Sequence, residues 1–520
     1  MRSAMGNGTR PPRRAEVLAG LSVAIDLGLG QPAEHMLSAA VIACRLADRA
    51  GLAEERRATV YYATLVMWIG CHADSQEYAR WFGDDIAVRG AAYLVDWSGL
   101  PYLRFLLGNV GHGEPPLHRA RVLAALLRDA RGQLAQLIHS HCQSAAALAG
   151  HLGLSEAVQG CLAYTFERYD GGGLPTGCAG DAIPLEMRIA HLADMAEVHH
   201  RLYGADGAVA MVRSRRGGQF DPELADVFTA NAADILAAPP GGDAWAAAMD
   251  CAPDRDVPAG GAELDGLLAA IGDFVDLKCP FMLGHSRGVA ALAAAGAQAA
   301  GLPAAEAGVL RRAGHLHDVG RMGVSNQVWS KPGPLSAAEW ERVRMHPYLS
   351  GRVLSRIPGL AAEASLVRSH HERLDGTGYP LGVAGSGLER ADRLLAAAVA
   401  YQSALEPRPY RAAMTPADAA ARLHRRVRAG HLEADAVAAV LAAAGHRPAR
   451  LALPAGLTAR EAEILALVAR GMSNRQIAVS LVLSEKTVRN HVERTYAKIG
   501  VSNRVGASLY ALQHGLAAPG

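Results

Sequence analysis

The chain has 520 residues, half of them hydrophobic, a length that fits three or four domains of about 150 residues and excludes a single small module. Its 52 Lys and Arg against 50 Asp and Glu leave a net charge of +2, so no global field drives it onto nucleic acid or an anionic membrane, and any DNA binding must be local. The seven cysteines (Cys44, Cys71, Cys142, Cys161, Cys178, Cys251 and Cys279) are odd in number and lack C-x-x-C spacing, the pattern of free thiols in a reducing cytoplasm.

Residues 1–14 (MRSAMGNGTRPPRR) are basic and turn-rich, and no uncharged apolar stretch follows them, which predicts a disordered tail rather than a secretory leader. No run of 18 apolar residues occurs, so a cytoplasmic protein without a membrane span is expected. Ala/Leu/Val-rich segments with apolar residues at i, i+3 and i+4 dominate, and alternating β-branched runs are rare, so the fold class is all-α. A first helical domain is expected over residues 15–237. Ala238–Gly261, rich in Pro, Gly and Asp, reads as a linker to a second helical domain over 262–445. A shorter break over 446–456 precedes the last domain, 457–520.

The two long domains repeat one another. Glu167–Pro175 (ERYDGGGLP) matches Glu372–Pro380 (ERLDGTGYP) at an offset of 205, which also pairs His141 with His346, Arg188 with Arg393 and Asp194 with Val399. Further upstream an offset of 250 pairs His35 with His285, Gly51-Leu52 with Gly301-Leu302 and Ile69-Gly70 with Val319-Gly320. The first copy therefore carries 45 extra residues, the difference between the offsets, somewhere between Cys71 and His141.

In the second copy, residues 370–380 (HHERLDGTGYP) join two adjacent imidazoles to a glycine-rich turn, and His317-Asp318 and His346 precede them. This order of motifs resembles the HD-GYP family over about Asp265–Met414. The resemblance implies a helical HD domain that hydrolyses cyclic di-GMP and related phosphodiesters on two or three metal ions. It implies His285, His317, Asp318, His346, His370 and His371 as metal ligands, with Asp318 and Arg321 closest to the chemistry. Imidazoles with a carboxylate suit a divalent metal such as Fe, Mn or Zn. A bridging Asp can hold two ions roughly 3.5–4 Å apart, the spacing that activates water for phosphoryl chemistry.

Three positions depart from that family. Its last ligand, an Asp, falls on Val399; its usual Lys after the HD pair falls on Arg321; and the Glu of three-metal members falls on Phe281. One or two ions are expected, not three. Gly376 and Gly378 permit positive φ and close backbone approach, so the loop could sit beside metals or a phosphodiester, or make only a tight connection. The resemblance also implies that Tyr379 contacts GGDEF-type partner proteins. Arg408–Arg411 (RPYR) reads either as a phosphate contact or as a solvated turn.

The first copy keeps His35, His141 and Asp194 but has Met67-Trp68 at the HD pair and Thr165-Phe166 at the HH pair. It is expected to be a packed, degenerate domain. His72, Asp74, His139 and His141 read as ordinary surface groups.

Leu457–Leu516 has capping-box spacing at Thr458/Glu461 and Ser473/Gln476 and a helix-opening Ser484, which predicts four short helices. Val488, Val492 and Tyr496 recur every four residues as a core face, leaving Lys486, Arg489, Asn490 and Glu493 free. Eight basic residues against four acidic ones give this segment a local charge of +4, which supplies the phosphate-binding term the whole chain lacks. The signatures GMSNRQIA and LSEKTVRNHV are similar to the LuxR-type helix-turn-helix module. That resemblance places Ser484–Lys498 in the major groove of double-stranded DNA, with Arg489, Asn490 and Glu493 reading bases and Lys486, Thr487 and Lys498 on phosphates. It also implies a homodimer, with Val505, Leu509 and Leu512 as a candidate seam.

The sequence thus predicts a DNA-binding transcriptional regulator whose HD-GYP-like domain senses a metal, a cyclic nucleotide or a partner. The alternative is a metal-dependent phosphodiesterase with a DNA-targeting module. Val399 is the residue that separates the two.

Overall fold

The computed structural model describes residues 10–72, 74–111, 116–128, 130–238, 242–446, 454–514 and 516. Among them the chain is helical and forms no strand, only isolated bridges. It divides into two compact units, Met1–Gly445 and His446–Gly520. Among the described residues no helix is long and apolar enough to cross a membrane. All seven cysteines are unpaired thiols.

In the larger unit the first copy comprises α1 (Arg14–Leu29), α2 (His35–Arg49), α3 (Glu54–Val66), α4 (Ser75–Phe82), α5 (Asp85–Ala92), α6 (Gly99–Asn109), α7 (Pro116–Arg128), α8 (Ala130–His151), α9 (Glu156–Leu162) and α10 (Leu185–Ser214). Then come α11 (Pro222–Ala230), α12 (Ala232–Ile235) and α13 (Ala244–Cys251). The second copy comprises α14 (Gly261–Leu277), α15 (His285–Ala299), α16 (Ala304–Leu316), α17 (Asn326–Trp329), α18 (Ala337–Arg344), α19 (His346–Leu354), α20 (Ala361–Ser369), α21 (Arg390–Leu405), α22 (Pro416–Arg428) and α23 (Ala434–Ala443).

The repeat read from sequence is physical. α2 and α3 recur as α15 and α16 at the offset of 250. The two glycine turns are also alike: a Cβ on Gly173 would lie 2.4 Å from Arg168 N, and one on Gly378 would lie 2.4 Å from Arg373 N. The extra residues of the first copy fold into α4–α7 and lengthen α8.

The two copies are not separate domains joined by a linker, as the composition of 238–261 suggested. One hydrophobic core runs through both. Gly20 of α1 lies so close to the second copy that a Cβ there would sit 2.4 Å from Ile357 Cδ1. Inside the expected linker, α13 buries Trp245, Ala248 and Met249, and Arg356 of the second copy stacks over the Trp245 ring. Pro and Gly in that segment mark the ends of a packed helix. Of the expected tail, residues 1–9 lie outside the described residues, but Arg10 pairs with Glu16 and Pro12 O accepts from Ala259 N at 2.8 Å.

Small residues bring the site together. A Cβ on Gly314 of α16 would meet Ala290 Cα of α15 at 2.5 Å, a crossing close enough to juxtapose His285 and His317, which stand at the ends of these helices. Asp276 anchors the start of α15 by accepting from Ser286 N at 2.9 Å and Ser286 Oγ at 2.8 Å.

The smaller unit holds α24 (Ala459–Ala469), α25 (Asn474–Leu481), α26 (Glu485–Ile499) and α27 (Arg504–Gln513) around Ile464, Leu465, Val468, Ile477 and Val488. Both capping boxes form, and Ser484 Oγ accepts from Thr487 N at 3.1 Å. Of the break expected over 446–456, residues 447–453 lie outside the described residues.

Candidate functional site

In the second copy the sequence-predicted ligands converge. His285 opens α15, His317-Asp318 follow α16, His346 opens α19, and His370-His371 follow α20. They form two groups, His285/His317/Asp318 and His346/His370/His371, each with its ligand atoms within 4.8 Å of one another. Asp318 joins the groups. Its Oδ2 lies 3.4 Å from His317 Nε2 and 3.8 Å from His285 Nε2, while its Oδ1 lies 3.3 Å from His346 Nε2 and 3.8 Å from His370 Nε2. One oxygen therefore faces each group, the arrangement of a carboxylate that bridges two ions.

The histidines are held so that their Nε2 atoms face one another and Asp318, His317 against His285 at 3.3 Å and His346 against His370 at 3.2 Å. Nδ1 of His317, His346 and His370 donates to the carbonyls of Gly314, Val343 and Val367 at 2.8, 2.6 and 2.6 Å. A ring that donates from Nδ1 presents a lone pair at Nε2 when neutral. Burial pushes His317 down to about 4 and holds His370 and His371 well below the ordinary imidazole range. Burial opposes the Asp318 charge, yet His317, Arg321 and His346 outweigh it and keep the carboxyl well below its usual value. Neutral imidazoles beside an ionised carboxylate are the donor set a divalent ion needs.

Sequence reasoning missed Glu406. It accepts from His285 Nδ1 at 2.8 Å, and Gln402 and Arg408 bind it in turn at 2.7 and 2.8 Å. A carboxylate behind a ligating imidazole fixes its tautomer and raises its basicity. The available signal was an acid seven residues beyond Val399, beside RPYR. Val399 itself is buried and lines the cavity above the ligands. It adds no donor.

That cavity measures about 770 Å³. Arg321 lies on its wall, stacked 3.8 Å over Trp329 and 3.4 Å from Asp318 Oδ2. Arg373, Arg422 and Arg426 line another part. Burial, then the charges of Arg373 and Arg422, push Arg426 down to about 10. Among the described residues none of these three has a carboxylate partner, so this part of the wall is cationic.

Other expectations resolve differently. Gly376 adopts φ +76°, but the close approach at Gly378 is to Glu372 and Arg373 of its own loop, not to a ligand. Buried Glu372 shapes this loop by accepting from the amides of Leu381, Gly382 and Val383. The Tyr379 ring packs 4.8 Å from His371 on the cavity wall. In RPYR, Arg411 clamps backbone carbonyls of Ala404 and Glu406 while Arg408 holds Glu406 and Phe281 O. Both guanidiniums are structural braces.

In the first copy His35 has lost its free nitrogens. Its Nε2 meets Asp194 Oδ1 at 2.9 Å, its Nδ1 meets Glu197, and Trp68 Nε1 donates to Asp194 Oδ2 at 3.1 Å. His72, Asp74 and His141 are buried, contrary to the surface reading, and His141 Nδ1 lies 3.2 Å from Asp74 Oδ2. His139 is exposed. His72 packs against Gly28 of α1 and the Phe274 ring of α14, Asp74 pairs with Arg89 of α5, and His141 meets the Phe166 ring edge-on, contacts that periodicity at their own positions could not show.

On α26, Lys486, Arg489, Asn490 and Glu493 are exposed, spaced to share one face, and Val488 is buried beneath them. Thr487 is half-buried, its hydroxyl 2.7 Å from Ser484 Oγ. Lys498 departs from the expectation: its ammonium donates to Glu461 Oε2 at 2.6 Å and Gly456 O at 3.2 Å. It braces the helices while its side chain stays partly exposed. Leu509 is exposed on α27, while the side chains of Val505 and Leu512 lie outside the described residues.

Comparison with known proteins identifies both domains. The HD domain family matches residues 126–224 and 270–435, and the luxR family of bacterial regulatory proteins matches 455–511. A 3′3′-cGAMP-specific phosphodiesterase of Vibrio cholerae is 30% identical over 77% of this chain and 88% of its own length. A cyclic di-GMP phosphodiesterase of Pseudomonas aeruginosa is 37% identical over 27% of this chain and 34% of its own. The crystal structure of a cyclic GMP-AMP specific phosphodiesterase of V. cholerae covers 84% of this chain and 99% of its own, with a TM-score of 0.57 and 25% identity. The order of the motifs, the convergent histidines and these relatives lead to one conclusion: the chain belongs to the HD domain family, in its HD-GYP form, and carries a C-terminal luxR-family domain.

Proposed function

We propose that this chain is a metal-dependent cyclic dinucleotide phosphodiesterase joined to a sequence-reading DNA-binding domain, so that one polypeptide both turns over a nucleotide signal and binds DNA. The observation that carries this reading is the split of Asp318, one oxygen toward each histidine group, beneath a cationic cavity. The residues fit a pair of divalent ions: two groups of three ligands each leave room for water and substrate, as catalytic sites do. Such ions supply Lewis-acid stabilisation of charge on the phosphoryl oxygens and activate water.

The side chains divide the remaining work. Arg321 stays charged and is fixed by Trp329 and Asp318, so it can hold a phosphoryl oxygen next to the ligands without giving up a proton. Arg373, Arg422 and Arg426 suit the second phosphate of a cyclic dinucleotide, which carries two negative charges. The cavity's volume of about 770 Å³ falls in the upper part of the range for small-molecule and cofactor pockets, about 300–1,000 Å³. Hydrolysis adds water across one ring P–O bond and releases a linear dinucleotide. The V. cholerae relative named for 3′3′-cGAMP makes that molecule the first substrate to try, with cyclic di-GMP the second.

A second reading, a sensor that binds the nucleotide without cleaving it, is favoured by Val399, which withholds a charged ligand. Purified full-length protein loaded with Mn²⁺ or Fe²⁺ separates the two. Conversion of either nucleotide to a linear product supports the enzyme. Tight binding without product, under every metal tried, supports the sensor and overturns the enzyme.

For the DNA-binding domain, Arg489→Ala is expected to relax sequence preference by about 1–3 kcal/mol at one base pair, while Lys486→Ala weakens binding uniformly and flattens its salt dependence. Equal effects on all sequences would contradict this assignment. Dimerisation through α27 and contact of Tyr379 with a GGDEF-type partner belong to the same proposal. Sedimentation of the full chain, alone and with such a partner, tests both.

A further inference from the structure

The first copy replaced its metal pocket with aromatic rings. Trp68 stands where the second copy has Asp318, and Phe166 where it has His371. Trp97 stacks on Phe166 with centroids 5.9 Å apart, and Trp68 meets both rings edge-on at 6.2 and 5.3 Å. Together with Tyr93 and insertion helices α4–α6 these rings line a cavity of about 140 Å³. A cavity of this size, lined by apolar groups, accepts a single aromatic ring.

Two lining side chains mark it as more than a packing fault. The hydroxyl of Tyr93 and Nε of Arg89 are buried without a hydrogen-bond partner among the described residues. Tyr93 is 4% exposed and Arg89 is 6% exposed. Buried polar groups are almost always paired, and an orphan is unfavourable until something satisfies it. The rest of the Arg89 head is committed, to Asp74, Asp85, Ser75 and Cys71 O.

The same helix that lines the cavity reaches the second copy. α5 contributes Val88, Arg89 and Ala92 to the cavity wall. One turn earlier, its buried Asp85 accepts from Ser325 Oγ at 2.7 Å and Asn326 N at 2.8 Å and lies 3.7 Å from Lys278 Nζ. Asn326 in turn accepts from Cys279 Sγ at 3.4 Å, and Arg321 lies 4.0 Å from that sulfur. A continuous set of buried contacts therefore runs from the aromatic cavity to the arginine beside Asp318.

We propose that the first copy is a binding site for a small planar aromatic molecule bearing one hydrogen-bonding group, and that its occupancy is transmitted along α5 to the 319–329 segment of the second copy. The rings supply stacking and edge contacts. Tyr93 and Arg89 supply the polar partner. Asp85 couples the ligand to the second copy because it ties α5 to both Ser325 and Asn326, so a displacement of α5 cannot leave them in place.

Phenol and toluene, equal in shape and different in polarity, are the probes, and full-length protein is the sample. Calorimetric titration is expected to show one phenol site per chain. Tyr93→Phe should weaken phenol about 10-fold, the loss of one hydrogen bond, and leave toluene unchanged. Ala92→Leu should abolish both. Absence of binding by both probes, or phenol affinity that is the same in wild type, Tyr93→Phe and Ala92→Leu, would overturn the site. Hydrogen exchange then reads the coupling: phenol should change protection of 319–329 in wild type but not in Asp85→Asn, with Ser325→Ala as the milder variant should Asp85→Asn fail to fold. An identical response in the uncoupled variant would overturn transmission through Asp85. These readouts need neither metal nor nucleotide hydrolysis, so their failure is distinct from failure of the phosphodiesterase reading.

Discussion

The two copies share helices, a glycine turn and two histidines at matching places, yet among the described residues only the second gathers groups of candidate metal ligands. In the second copy each of three imidazoles gives Nδ1 to a backbone carbonyl and keeps Nε2 for Asp318. In the first, His35 gives both nitrogens to protein carboxylates, Asp194 and Glu197. The difference teaches that a metal site depends on which partner claims the second nitrogen. Counting histidines does not reveal it. The first copy retained a carboxylate at the family's last ligand position and spent it on an ion pair. The second lost that carboxylate to Val399 and keeps His285 oriented through Glu406.

The sharpest way to break the comparison is to exchange the fates of equivalent residues. Asp318→Ala should lower cyclic dinucleotide turnover by about 1,000-fold or more, some 4 kcal/mol of barrier, whereas His35→Ala should leave turnover unaltered. Turnover that survives Asp318→Ala would place the chemistry elsewhere. Glu406→Gln tests the residue that orients His285: it should weaken metal binding by about 10–100-fold, read by competitive titration with a chelator. Arg426→Ala should raise KM for the nucleotide by about 10-fold, as expected for one charge-assisted hydrogen bond, with metal content unchanged. Loss of metal together with nucleotide affinity would show that the arginine cluster supports the fold and does not bind substrate.

The smallest effect is a pH dependence confined to the first copy. Burial opposes the His35 charge, but Asp194 and Glu197 raise its pKa to about 10. Its ordinary value is about 6.5. A raised pKa means that stability from the pair is complete below about 6.5 and is lost as pH rises toward 10. Asp26, pushed up to about 8 by burial, acts in the same direction at lower pH. Denaturant unfolding followed from pH 6.5 to 10 should therefore show declining stability, and His35→Gln should flatten the upper part. Rising stability over this window would contradict the ion pair.

Much of the site was legible because local order carries it. HD, His346, HHE and GYP keep their spacing whatever surrounds them, and Thr458/Glu461 and Ser473/Gln476 cap helices through contacts three residues apart. The fusion of the copies was not legible. α1 reaches Ile357 across more than 300 positions, and such packing leaves no period in the sequence. The burial of His72, Asp74 and His141 depends on partners elsewhere in the chain, Phe274, Arg89 and Phe166, which no local pattern announces. The Lys498 ion pair was hidden for a related reason: its partner Glu461 lies 37 residues away. Glu406 was hidden because its role belongs to a nitrogen of His285 that no motif describes.

Counting metal ions tests the central claim most directly. Full-length protein loaded with Mn²⁺ or Fe²⁺, desalted and analysed by plasma mass spectrometry, should hold two ions per chain in wild type and in His35→Ala, and one in His346→Ala. A wild-type chain that retains no ion, or one whose metal content falls with His35 and not with His346, would contradict the account.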